Sequence, residues 1–142
     1  MPETPRLFTL DEANRTLPLV RRIVQDVMAE HRAWRESLAR FELVSAGTGV
    51  KRESTAEADA LQRDVADRAE AIERYLAELE DIGCLFKGFE AGLVDFYSLR
   101  DDQLVFLCWR DGEDRITYWH ELDTGVAGRR PVDSHLLSGT TP

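Results

Sequence analysis

Two stretches of the chain repeat apolar residues at intervals of three and four, the spacing that places side chains on one face of an α-helix. Each stretch has one polar interruption. The first comprises Leu17, Val20, Val24, Val27, His31, Trp34, Leu38 and Phe41. The second comprises Leu61, Val65, Arg68, Ile72, Tyr75, Leu79 and Ile82. The pattern predicts two long helices.

The ends of these helices carry recognisable signals. The segment that begins at Thr9 and ends at Glu12 has the spacing of a capping box, which predicts a helix start. Pro18 lacks an amide hydrogen, so we expect a bend near residues 14–18. Gly83 follows the second apolar stripe and predicts its end, since glycine accepts the left-handed conformation of a helix stop.

The segment between the stripes, residues 45–53, contains two glycines and no apolar repeat, which predicts a loop. Antiparallel pairing that sets Leu17 beside Ile82 matches apolar residues along both stripes. The same pairing places His31 level with Arg68. A single polar layer in an apolar interface is typical of a register-fixing device, and a ligand site is the alternative.

After Gly83 the apolar period changes to two, and β-branched and aromatic residues become frequent, which predicts strands. The segments are Leu85–Phe89, Leu93–Tyr97, Leu104–Trp109 and Ile116–Glu121. A turn at Asp111–Asp114 would place Trp109 opposite Ile116 and Val105 opposite His120. We therefore predict an α+β fold, with a long antiparallel helical hairpin (9–82), a small antiparallel sheet of three or four strands (84–133) and a tail (134–142).

Composition narrows the classes of function. The formal net charge is −9, and the excess of acidic residues is greatest in the second helix, so nucleic-acid binding is not expected. The 142 residues contain no secretion signal and no membrane-length apolar run, which favours a cytoplasmic protein. Cys84 and Cys108 lie far apart and are interpreted as reduced core residues. A chain of this length needs no metal or cofactor to fold.

Candidate chemistry lies near the carboxyl end. His120, Glu121 and Asp123 follow Trp119 and are potential metal ligands or proton carriers, with His120 and Glu121 as the metal candidates, but neighbouring strand residues point to opposite faces. His120 therefore needs a partner from elsewhere. Asp95 is the candidate, because it is the charged residue of an apolar strand.

Arginines offer a second interpretation of the same region. Arg129 and Arg130 lie on a glycine-flanked segment and suit carboxylates or phosphates. They and Arg110 are also potential salt-bridge partners for Asp95, which would make the cluster structural. We expect the arginines to neutralise the local carboxylates.

Several motifs together resemble one family. They are Phe8 to Asn14 with Leu17 to Val20, Gly92 to Phe96, Cys108 to Arg110, Trp119 to Glu121, and Gly128 to Pro131. In these segments the chain is similar to the bacterial domain of unknown function number 2203, over nearly its whole length. The resemblance implies no activity or cofactor, but it includes Asp95, Trp119, His120, Glu121 and the Arg129-Arg130 segment among the residues typical of the family.

Two hypotheses of function follow. The first is a non-enzymatic interaction or regulatory module that uses the helical hairpin to bind itself or a protein partner. The second is a small-molecule or metal-binding protein, with enzymatic activity left open. Its site would gather Asp95, His120, Glu121, Asp123 and the arginine segment.

Overall fold

The structure is a computed structural model that describes residues 4–48 and 55–138. Two long helices precede a five-stranded antiparallel sheet, which confirms the predicted α+β fold. The helices are α1 (Leu10–Thr48) and α2 (Thr55–Ile82). The strands lie side by side in chain order as β1 (Cys84–Gly88), β2 (Leu93–Arg100), β3 (Gln103–Arg110), β4 (Tyr118–Glu121) and β5 (Arg130–Pro131). The two-residue β5 is the strand that the sequence pattern does not predict.

Local signals fix the helix ends. The Thr9 amide donates to the Glu12 carboxylate and the Glu12 amide donates to the Thr9 hydroxyl, both at 3.0 Å, so the capping box is confirmed. Helix α1 continues through Pro18 without interruption. Gly83 has a φ of 111° and donates its amide to the Leu79 carbonyl at 3.1 Å, which confirms the helix stop.

Helix α1 is longer than the sequence pattern predicts. It continues to Thr48, so residues 45–48 are helical instead of loop. Each added residue gains one backbone hydrogen bond once a helix exists, which favours extension until a strong stop signal. The rest of the predicted loop, residues 49–53, lies outside the described residues. No helix in the described ranges is long and apolar enough to cross a membrane.

One face of the sheet packs against the base of the helical hairpin. The core residues of the helices include Leu17, Val20, Val24, Val27 and Leu79, and those of the strands include Val94, Phe96, Val105, Leu107, Trp109 and Trp119. Because side chains alternate along a strand, the residues between these positions point away from the helices. We call that side of the sheet the outer face.

The far end of the hairpin lies beyond the core. We define residues 32–48 and 55–70 as the distal hairpin. None of the described side chains in 32–46 or 56–70 is buried, and Leu43 is 73% exposed. At 1.5 Å per residue, α1 is about 58 Å long. The sheet therefore covers only the base of the hairpin.

The polar contacts of the hairpin differ from the predicted pairing of His31 with Arg68. Arg68 pairs with Glu30 at 3.2 Å and with Asp64 at 2.9 Å, and its side chain is 35% exposed. His31 instead stacks on Phe89, with ring centroids 4.0 Å apart and planes 12° apart. Arg68 is thus level with the residue before His31, but the two side chains have separate partners.

The register of the β3–β4 hairpin differs by one residue from the predicted one. His120 lies opposite Phe106, whereas the turn-centred prediction placed it opposite Val105. The ladder begins only at β4, because the Ile116 amide donates to the Asn14 side-chain oxygen at 2.8 Å instead of to β3. A shift of one residue moves every side chain of a strand to the other face. His120 therefore points to the outer face.

Candidate functional site

Three neighbouring strands bring one polar side chain each to the same place on the outer face. Asp95 of β2 lies directly opposite Cys108 of β3, and His120 of β4 lies opposite Phe106. The ligand atoms of Asp95, Cys108 and His120 all lie within 4.8 Å of one another. All three residues are buried, with at most 3% of each residue exposed. We call these three residues the outer-face cluster.

The alternation of side chains explains why these polar residues meet. Asp95 stands between Val94 and Phe96, both of which are core residues on the helix side. Cys108 has the same setting between Leu107 and Trp109. Packing of the flanking apolar residues fixes each strand, so the intervening polar side chain must point outward.

Hydrogen bonds determine the state of the His120 ring. Its Nδ1 lies 2.7 Å from the Glu121 carbonyl oxygen, which can only accept, so Nδ1 carries a hydrogen. Its Nε2 lies 3.1 Å from Oδ1 of Asp95. A neutral ring with hydrogen on Nδ1 would present a lone pair to a carboxylate. The contact therefore requires a proton or a metal ion between Nε2 and the carboxylate oxygen.

Lys87 is the second partner of Asp95. Its Nζ lies 2.9 Å from Oδ2 of Asp95 and 4.3 Å from the centroid of the Phe106 ring. Asp95 thus has Lys87 and His120 as partners, and the predicted neutralisation of Asp95 by arginines is wrong.

Burial keeps the two cysteines unreactive as thiols. Desolvation and, as the second cause, the negative charge of Asp95 raise the pKa of Cys108 to about 12. Desolvation likewise raises the pKa of Cys84 to about 12. Cys84 donates to the Leu79 carbonyl at 3.4 Å and belongs to the core, on the other face of the sheet. Cys108 is therefore a poor nucleophile unless a cation lowers its pKa.

Two cavities of the described surface lie near the sheet. A cavity of about 520 Å³ runs along β1 between Leu76 and Phe89, and another of about 530 Å³ lies near Arg6 and Ile82. None of the three cluster residues lines either cavity, whereas Lys87 lines the first. The cluster itself is therefore a buried point instead of the wall of a cleft.

The arginine segment forms a separate ion pair. Arg129 donates from Nη2 to both carboxylate oxygens of Glu113, at 2.7 and 2.9 Å, and its guanidinium lies 4.1 Å from the centroid of the Tyr118 ring. The guanidinium of Arg130 lies 5.5 Å from the centroid of Trp119. These contacts hold the segment that precedes and forms β5 against β4.

The other predicted site residues lie away from the cluster. Trp119 belongs to the core on the helix side, opposite Leu107. Glu121 contributes its backbone carbonyl to His120, whereas its side chain alternates to the other face. Arg110 and Asp123 are exposed. Of the predicted site residues, the structure brings together Asp95 and His120.

The sequence interpretation missed Cys108 of the outer-face cluster and the neighbouring Lys87. Cys108 was expected in the core, because buried free cysteines usually behave as small apolar residues. A usable signal is present: Cys108 alternates with Leu107 and Trp109, so it shares the face of Phe106. The correct register would have placed His120 on that face too.

A family model described as "Uncharacterized conserved protein (DUF2203)" matches residues 6–132 of the chain. The matched range contains all three residues of the outer-face cluster and Lys87. Searches of the curated proteins and of the solved structures each found no match.

Proposed function

The chain belongs to the DUF2203 family of uncharacterized conserved proteins, and we propose that it binds one zinc-class divalent metal ion through Asp95, Cys108 and His120. One observation carries the proposal. A carboxylate, a thiol and an imidazole from three adjacent strands direct their ligand atoms to one buried point, within 4.8 Å of one another. A divalent ion at this point would accept a lone pair from each of the three groups.

The donor set suits zinc. Imidazole nitrogen, thiolate sulfur and carboxylate oxygen bind Zn²⁺ at about 2.0–2.3 Å, which puts ligand atoms roughly 3.3–3.8 Å apart around a tetrahedral ion. The present separations, of up to 4.8 Å, would shorten by about 1 Å at most when the ion binds. The bond from His120 Nδ1 to the Glu121 carbonyl supports the proposal, because metal-bound histidines usually donate their other ring hydrogen to an oxygen acceptor.

The proposed ion has a binding role instead of a catalytic one. The side chains of Asp95 and His120 are only 4% and 3% exposed, so the ion would be shielded from a substrate in solution. It would connect β2, β3 and β4, and its binding free energy would add to the stability of the sheet. A reduced Cys108 is needed, which agrees with the proposed cytoplasmic location.

Metal titration of two alanine variants tests the proposal. Isothermal titration of the chelator-treated protein with Zn²⁺ should give one ion per chain, and Cys108→Ala should abolish or strongly weaken binding. Cys84→Ala is the matched control, because Cys84 is equally buried but lies on the other face. A wild-type protein that binds no divalent ion, or a Cys84→Ala variant affected as strongly as Cys108→Ala, would remove the proposal.

Cobalt spectroscopy adds a direct test of the ligands. Co²⁺ bound through Cys108 should produce a thiolate-to-metal charge-transfer band in the near ultraviolet, and Cys108→Ala should lack this band. His120→Ala should weaken Co²⁺ binding, whereas His135→Ala should not, since His135 is exposed and lies 3.1 Å from Asp101. Equal effects of the two histidine substitutions would exclude His120 as a ligand.

A protein-interaction role for the distal hairpin is a second candidate. The observation that favours it is the absence of buried side chains among the described residues 32–46 and 56–70, together with the 73% exposure of Leu43. Pairing with a second copy of the chain would cover this surface.

Light scattering tests this second role. The wild-type protein should be a dimer at micromolar concentration, and Leu43→Glu should be monomeric. Leu122→Glu, at a 44% exposed leucine outside the hairpin, should remain dimeric. A monomeric wild-type protein would exclude self-association.

A further inference from the structure

Lys87 reaches the outer-face cluster from an irregular point of the sheet. In the β1–β2 ladder, Phe86 lies opposite Val94 and Gly88 lies opposite Leu93, so Lys87 is an extra residue in β1. An extra residue of this kind forms a β-bulge, which bends the strand and redirects a side chain. Here the redirected ammonium group lies 2.9 Å from Asp95.

The surroundings of Lys87 differ from those of the cluster. Its side chain is 39% exposed, whereas the side chain of Asp95 is 4% exposed. The ammonium also lies 4.3 Å from the centroid of the Phe106 ring, a cation–π contact. Lys87 is thus a partly solvated cation that extends from the edge strand to a buried carboxylate.

Resting on the proposed metal binding, we propose that Lys87 is the internal counter-ion that a divalent ion must displace from Asp95. Without the metal, Lys87 neutralises a carboxylate that would otherwise be buried with insufficient compensation. When the ion binds Asp95, the ammonium turns towards solvent. Lys87 would then set the affinity of the site and make the bound ion exchangeable.

Electrostatics supports the displacement. A divalent ion bound to Asp95 would lie within a few ångströms of the ammonium, and repulsion between like charges is strong where little water screens it. A lysine can leave such a position readily, because its ammonium is strongly hydrated and its stem is flexible. The 39% exposure of Lys87 shows that solvent is already adjacent.

Zinc affinity of three proteins tests the inference. Competition with a chromophoric chelator should show that Lys87→Met binds Zn²⁺ at least tenfold more tightly than the wild type, while Lys51→Met binds equally. Methionine keeps the apolar stem over Phe106 but removes the charge. Lys51→Met makes the same change in net charge at the other lysine of the chain, which lies in sequence between α1 and α2.

A labelling experiment on the wild-type protein gives an independent readout. Because the sequence contains only Lys51 and Lys87, mass spectrometry can follow acylation of each lysine separately. Addition of Zn²⁺ should increase the acylation rate of Lys87 relative to that of Lys51. This measurement does not depend on whether a Lys87 variant folds.

The outcomes separate this inference from the proposed function. If neither the wild type nor Lys87→Met binds Zn²⁺, the proposed metal binding fails and the role of Lys87 fails with it. If both bind Zn²⁺ with equal affinity, or if Zn²⁺ leaves the relative acylation rate of Lys87 unchanged, metal binding stands and only the role of Lys87 is overturned.

Discussion

Gly92 is the point where the β1–β2 connection meets helix α1, and replacing it by alanine should destabilise the protein strongly. Its φ is 67°, a left-handed conformation. An added Cβ would lie 2.7 Å from Sδ of Met28, 2.8 Å from Cβ of Asp111 and 3.2 Å from Cγ1 of Val24. The substitution therefore combines backbone strain with crowding against helix α1 and against the turn that follows β3.

The structure allows these two costs to be separated. A left-handed conformation costs an alanine about 1–2 kcal/mol, and overpacking of a well-filled site costs about 1–3 kcal/mol. Gly112 also has a positive φ, of 105°, but an added Cβ there would have no neighbouring heavy atom within 4 Å. Gly112→Ala should therefore lose only the contribution of backbone strain, and Gly92→Ala should lose about 2–5 kcal/mol in total.

Urea unfolding of both variants, followed by circular dichroism, measures the difference. The free energy of unfolding should be lower for Gly92→Ala than for Gly112→Ala by about 1–3 kcal/mol. In thermal melts, each kcal/mol corresponds to about 2–4 °C for a chain of this size. Equal losses in the two variants would refute the close approach of Gly92 to α1.

Two further predictions concern the contacts that position the sheet and the hairpin. Asn14→Ala should lower the free energy of unfolding by about 1–3 kcal/mol, since the buried Ile116 amide loses its acceptor. Urea unfolding measures this loss, and Asn14→Asp is the control variant that keeps an acceptor. Hydrogen bonds from Ser37 and Arg68 lower the pKa of Asp64 below its ordinary value of 3.8. The ionised Asp64 therefore stabilises the folded state above pH 3.8, and this stabilisation is lost as the pH falls through the folded-state pKa. Ser37→Ala should shift the acid-unfolding midpoint to higher pH, measured by circular dichroism.

The helices were predictable because their signals are local. The capping box at Thr9 and Glu12 and the stop at Gly83 depend on residues within one turn of the helix end. The β3–β4 register was not predictable in the same way. It depends on the bond between Asn14 and Ile116, which lie 102 positions apart in the sequence.

The same distinction applies to the candidate site. Asp95 and His120 could be identified from sequence, because a charged residue in an apolar strand and a histidine at a strand end both require partners. Alternation places Cys108 on the face of Phe106, but only the register of β4 brings His120 to that face, and only the pairing of β1 with β2 brings Lys87 beside Asp95. The sequence pattern therefore identified Asp95 and His120 as candidate site residues but did not identify Cys108 and Lys87.

The contrast between fixed and movable groups links the fold to the proposed exchange of a metal ion. Asp95 and Cys108 are each flanked by core residues on both sides, so the packing of the inner face holds their backbones in place. Lys87 lies on the edge strand β1 at a bulge, and its side chain is 39% exposed. Binding and release of an ion would then require movement of one solvated side chain and no rearrangement of the sheet. This arrangement favours a site that exchanges its ion over one that holds it permanently.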